Sequence, residues 1–160
     1  MRRVNSHGFT LLEALIALLI LSLGLLGACA LLLDGLRANG DALRQMAATR
    51  LVRDMADRIR ANLRAQSLYD TRSAAVAGGC GSGTRCDPAQ RAAADLAYFA
   101  GAAGRLFPGA DTAATIEFEP AIGPAAPDRY TICLRWRGPR ESAAMYDAVT
   151  LNLLAQPVAG

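Results

Sequence analysis

The side chains that usually carry acid–base or nucleophilic chemistry are scarce in this chain and badly placed for it. Its single histidine is His7, near the N-terminus, and all 17 basic residues are arginine, with no lysine. Beyond residue 7 the chain therefore lacks both the commonest general base and a Schiff-base amine, so neither an enzyme nor a cofactor is expected. Cysteines stand at 29, 80, 86 and 133. Zinc wants four Cys or His ligands at characteristic spacings, and no C-x-x-C pair occurs, so no metal site is expected. Glu13 is the residue that demands a reason, because it is the one charge in the apolar run from Phe9 to Leu33.

That run governs the architecture. From Ala14 to Leu33, 20 consecutive residues carry no charge, and a helix of that length crosses a hydrocarbon core of about 30 Å. A secretory signal peptide has a shorter apolar stretch. Arg2 and Arg3 precede the run, so the positive-inside rule puts the N-terminus in the cytoplasm and everything after Asp34 outside it. Those two arginines supply most of the formal charge of +3, which leaves the remainder near neutral and gives no call for a nucleic-acid partner. An ionisable side chain in such a helix is costly unless it is paired or reaches the interface. Both explanations stay open for Glu13 taken alone.

The residues around it narrow the choice. Gly8-Phe9-Thr10-Leu11-Leu12-Glu13, behind a short basic leader and ahead of the apolar helix, resembles the N-terminal signature of type IV pilins and their pseudopilin relatives. The resemblance implies a leader of residues 1–8, cut between Gly8 and Phe9 by a membrane-embedded prepilin peptidase that then N-methylates Phe9. It also implies that Glu13 neutralises the new amine of a neighbouring subunit and so sets the assembly register. Such a pair counts for far more in a low-dielectric helix bundle than in water. Residues 9–33 would serve first as a transmembrane anchor in inner-membrane lipid and later as filament core. Gly24 and Ala28 form a small-xxx-small pair suited to close helix approach, although a membrane helix contains Gly and Ala in any case.

No proline occurs before Pro88, so one helix is predicted to continue past the membrane, with residues 34–68 as its amphipathic second half. Leu43, Ala47, Leu51, Met55, Ile59 and Leu63 recur every four residues with Ala48, Val52 and Ala56 beside them, which marks the buried stripe. The opposite face carries Arg50, Arg53, Asp54, Asp57, Arg58 and Arg60, and Asp54 with Arg58 has the favourable acid-first order. Gly35 and Gly40 are expected to bend or melt the helix just outside the membrane.

Residues 69–160 are predicted to form a small globular head. Asp87-Pro88 reads as a helix start, with Leu96, Phe99, Ala103 and Leu106 as its inner face and a stop at Pro108-Gly109. Strands are predicted at Thr115–Phe118, Tyr130–Arg137 and Ala148–Leu154, with Tyr130, Ile132, Leu134 and Trp136 on one face. The fold class is α+β: a long N-terminal helix packed on an antiparallel sheet of three or four strands. Cys80 and Cys86, with five residues between them and on the oxidising side, are expected to form a disulfide. Cys29 lies in lipid, and Cys133 is expected to be a small buried residue.

Leu51 to Asn62 is similar to a segment of the PilV family of minor type IV pilins. The paired cysteines, Asp95-Leu96, the stop at Leu106 to Gly109 and the Tyr130-Thr131-Ile132 strand with Trp136 resemble the same family. This implies a non-enzymatic minor pilin that primes pilus assembly near the tip, in the bacterial inner membrane first and the filament later. Its implied partners are prepilin peptidase, other minor pilins, the major pilin and a large tip adhesin. Arg53, Asp54, Asp57 and Arg58 are the candidate docking face, read otherwise as a solvated helix surface tolerant of charge change. The alternatives are a minor pseudopilin of type II secretion and a DNA-binding competence pilin. The second fits poorly, because the helical arginines alternate with aspartates and no aromatic platform accompanies them.

Overall fold

Leucine and alanine, which favour helix, fill the first third of the chain, and a computed structural model makes one helix of it. The structure describes residues 10–73, 86–123, 126–137 and 147–155. Helix α1 spans Leu11–Ala61, and the chain divides into two compact units, Met1–Ala42 and Leu43–Gly160.

In the first unit, α1 begins where Thr10 Oγ1 accepts the Glu13 N–H at 3.3 Å. Its apolar stretch reaches a mean hydropathy of 2.8 and none of it is buried within the chain. By length and composition α1 can cross a membrane. The helix does not melt at Gly35 and Gly40, because α1 is helical through both. Each glycine costs about 1 kcal/mol against alanine, which strong helix formers on either side offset. Asp34 and Arg37 add an ion pair at 3.1 Å across the first of them.

In the second unit, Ala48, Leu51, Val52, Met55, Ala56 and Ile59 are the buried face of α1. Two ends of the predicted stripe depart from it. Leu43 is 59% exposed, and Leu63 lies beyond the α-helix, which stops at Ala61 and not at 68. A 3-10 segment, Leu63–Tyr69, follows, and Gln66 takes a positive φ of 42° inside it. The stop coincides with the buried Asn62, whose side chain donates to the Pro88 carbonyl at 2.9 Å and to the Tyr69 hydroxyl oxygen at 3.1 Å.

Helix α2 spans Pro88–Leu106 and starts as predicted. Asp87 Oδ1 accepts the Gln90 N–H at 2.7 Å, and Gln90 Oε1 accepts the Asp87 N–H at 3.2 Å, a reciprocal cap that satisfies two otherwise orphaned donors. Its inner face holds Ala92, Asp95, Phe99, Ala102 and Ala103. Leu106 is 46% exposed, and Phe107, one residue past the helix, is buried in its place. The unwinding at Phe107 turns that ring onto Trp136, with centroids 4.4 Å apart.

Strands β1 (Ala113–Glu119), β2 (Asp128–Trp136) and β3 (Asp147–Ala155) form an antiparallel meander in the order β1-β2-β3. In β2, Tyr130, Ile132, Leu134 and Trp136 are buried as their alternation predicts and join the core with α1 and α2. The same alternation corrects the reading of Cys133. It sits on the outer face between Thr115 and Thr150, half-exposed and free. Burial and the nearby Asp128 push the Tyr130 hydroxyl up to about 12.

Residues 70–72 close the outer edge of β1. Thr71 N–H donates to the Ile116 carbonyl at 2.9 Å and its Oγ1 accepts the Ile116 N–H at 3.1 Å. Asp70 Oδ2 accepts the Phe118 N–H at 3.3 Å, so an edge that could template another strand is capped. Asp70 also accepts the Arg72 guanidinium at 2.7 Å. That hydrogen bond, aided by the Arg72 and Phe118 N–H groups, holds its carboxyl at about 2 against an ordinary 3.8. A carboxyl depressed in the folded state stabilises above its unfolded pKa and loses that stability as pH falls through the folded value. Asp70 should therefore contribute about 1–2 kcal/mol near neutrality, allowing for solvent at Arg72, lost between pH 3.8 and about 2. Asp70→Asn should flatten acid unfolding in that window, measured by tryptophan fluorescence. An unchanged acid profile would deny the clamp this role.

Candidate functional site

Gly8 and Phe9, the residues expected to be processed, lie outside the described residues, as do residues 1–7. Glu13 occupies the exposed first turn of α1. There the positive end of the helix dipole favours a carboxylate. Thr10 and Glu13 also have the Thr-x-x-Glu spacing of a capping pair, a local signal that the motif reading passed over. At Gly24, an added Cβ would meet nothing within 4 Å. Nothing among the described residues therefore requires glycine there.

The candidate docking face divides in two. Arg53 and Asp57 are exposed, and Asp57 takes Arg60 at 2.6 Å. Asp54 and Arg58 belong to the fold instead. Arg58 Nε donates to Asp54 at 2.9 Å as the spacing predicts, and its Nη1 donates to Asp95 on α2 at 3.0 Å. Asp95 has only 9% of its side chain exposed. Its other oxygen accepts the Tyr69 hydroxyl at 2.8 Å, and Tyr69 in turn accepts from Asn62. The Arg58 guanidinium also lies over the Tyr98 ring, 4.1 Å from its centroid. Burial pulls the Arg58 pKa down, and its bonds to Asp54 and Asp95 more than offset this, so it ends above its ordinary value. Burial raises the Tyr69 hydroxyl, which keeps it a donor to Asp95.

This chain of polar groups ties the end of α1 to α2 and to the 3-10 segment. It corrects the reading of Arg58 as a solvated residue tolerant of charge change. A buried carboxylate needs a paired cation and hydrogen bonds, and Asp95 receives both here. Nothing in the helical spacing of 50–60 announces Asp95, which is 37 residues further on.

Of the cysteines, Cys29 is exposed and Cys133 half-exposed, both free. Cys86 is not a free thiol. Cys80 lies outside the described residues. Among the described residues no three His, Cys, Asp or Glu side chains come together as a metal site would need.

Two family models match. The prokaryotic N-terminal methylation motif covers residues 3–28, and the type IV pilin Tt1218 family covers residues 30–100. No curated protein matches, and neither does any solved structure. The first match takes in Gly8, Phe9, Glu13 and most of the apolar helix. The second runs from the end of that helix through the Arg58–Asp95 junction into α2. With a long apolar helix and a three-stranded antiparallel head, these matches support a type IV pilin that carries the N-methylation motif.

Proposed function

We propose that this chain is a minor type IV pilin of the PilV kind, which primes assembly and stays near the tip of the filament. It is held in the inner membrane by residues 9–33 with its head in the periplasm, and enters the pilus after processing. The observation that carries the reading is the methylation motif placed in register with a membrane-length helix. The segment Leu51–Asn62, similar to PilV, directs it to the minor class. An initiating role has a physical basis, because the first subunits leave the membrane with no filament to dock on and their association is slow. A heteromeric nucleus with matching heads lowers that barrier in small numbers.

Quantitative mass spectrometry of sheared pili tests this. The chain should be a trace component, and its loss should reduce the number of pili without changing their diameter. If it is the most abundant pilin there, it is the building block and the priming role is wrong. We carry Cys80–Cys86 as the bridge of the head, with the other two cysteines free.

Glu13 is the residue proposed to meet a neighbour's Phe9 amine. Glu13→Ala should leave leader cleavage intact and reduce recovery of partner pilins in pull-downs by roughly tenfold, since an unpaired buried amine is costly. Equal recovery would leave Glu13 as a helix-start residue only.

A further inference from the structure

We propose that the exposed face of α1 from Leu43 to Arg60, continued by Arg64 and Arg91, docks an acidic helix of a neighbouring pilin. The proposal rests on the pilin reading and adds the chemistry of the partner. Leu43, Met46, Arg50, Arg53, Asp57 and Arg60 alternate in steps of three and four. They share an arc of roughly 100° on the helix. That spacing is the seam of a helix–helix contact. Leu43 and Met46 are 59% and 55% exposed, and the arginines beyond them are exposed too.

The charges on this seam are not balanced among the described residues. Its one acid, Asp57, is taken by Arg60. Asp54 and Arg58, which make the sequence look evenly mixed, are paired with each other, and Arg58 also reaches Asp95. Arg50, Arg53, Arg64 and Arg91 have no ion-pair partner among the described residues. Elsewhere in the head Arg105 alone shares this state among the described residues. Arg72, Arg129 and Arg137 each meet a carboxylate, on Asp70, Glu119 and Asp111.

Arg64 and Arg91 line a surface cavity of about 310 Å³ with Asn62 and Pro88.

An acidic protein helix fits this surface better than a nucleic acid does. A phosphate backbone makes no use of Leu43 and Met46, and the seam carries no aromatic ring on which a base could stack. Single exposed ion pairs are weak. Several in one register still speed encounter and exclude wrong partners, which is what a subunit choosing its neighbours requires.

The test uses the full-length chain in detergent micelles, titrated with fluorescein-labelled octaglutamate and, separately, with a labelled short DNA duplex. Octaglutamate should bind, and more weakly as salt rises. Arg50→Glu with Arg53→Glu should weaken it roughly tenfold or more without shifting thermal unfolding. Arg105→Glu, at a position roughly 21 Å along α2 from Arg91, should leave it unchanged.

In cells, the double variant should reach sheared pili at roughly a tenth of the wild-type level or less. No octaglutamate binding, equal weakening by Arg105→Glu, or normal incorporation of the double variant would overturn the proposal. Tighter binding of the duplex, lost in the double variant, would overturn it in favour of nucleic acid. Absence of the wild-type chain from pili would count against the pilin reading, and the octaglutamate result would still decide the surface on its own.

Discussion

Replacing Arg58 with glutamate should lower the unfolding free energy of the head by about 2–4 kcal/mol, whereas Arg53→Glu should change it by about 0.5 kcal/mol or less. The two arginines lie five residues apart on one helix and look alike in sequence. Arg53 is exposed and has no ion-pair partner among the described residues, so reversing its charge asks little of the fold. Arg58 is the cation paired with Asp95, whose side chain is only 9% exposed. Glutamate at 58 would set three carboxylates side by side and leave Asp95 without its charge partner, while Tyr69 can supply only one hydrogen bond. Arg58→Lys should recover part of the loss, since a single ammonium cannot reproduce the guanidinium fork that reaches Asp54 and Asp95 together. Trp136, the only tryptophan, is buried against Phe107 and reports unfolding by fluorescence in denaturant. Equal destabilisation by Arg53→Glu and Arg58→Glu would deny the junction its role.

The chain isolated from cells with active prepilin peptidase should begin at an N-methylated Phe9, and Gly8→Val should keep the whole leader and abolish entry into pili. The methylation-motif match spans this junction. A peptidase that closes around the backbone at Gly8 leaves little room for a β-branched side chain. Retention of residues 1–8 would keep the basic leader ahead of the apolar helix and block formation of the Phe9 amine that Glu13 is proposed to neutralise. Intact-mass measurement of the membrane-extracted protein separates the two forms, because the loss of residues 1–8 far outweighs the gain of one methyl group. A wild-type chain that starts at Met1 in such cells would sink the processing proposal, whatever its filament content.

Sequence alone determined those features that depend on near neighbours. The apolar run after a basic leader, the Asp87-Pro88 helix start and the two-residue alternation of β2 each arise from local periodicity or local hydrogen bonding. A helix, a cap or a strand face is specified within a few residues. The motif at Gly8 to Glu13 is of the same kind. Even here the local rule could mislead. Gly35 and Gly40 carry a real propensity cost, but α1 runs through them because a helix is cooperative and two isolated glycines do not outweigh its good formers.

Only the tertiary structure decided which charges were free and which were committed. Arg58 meets Asp95 across 37 residues, Tyr69 meets Asp95 across 26, and Asp70 and Thr71 seal an edge of β1 more than 40 residues away. Phe107 displaced Leu106 from the core because the chain unwinds one residue earlier than a helical face would require. The charges from Arg50 to Arg60 formed one mixed face in the sequence, since helical spacing sees only partners on the same helix. Packing against α2 drew Asp54 and Arg58 to one side and left Arg50 and Arg53 on the other. The cause is energetic: a carboxylate losing its water at Asp95 must find a cation, and which arginine supplies it depends on how two helices meet.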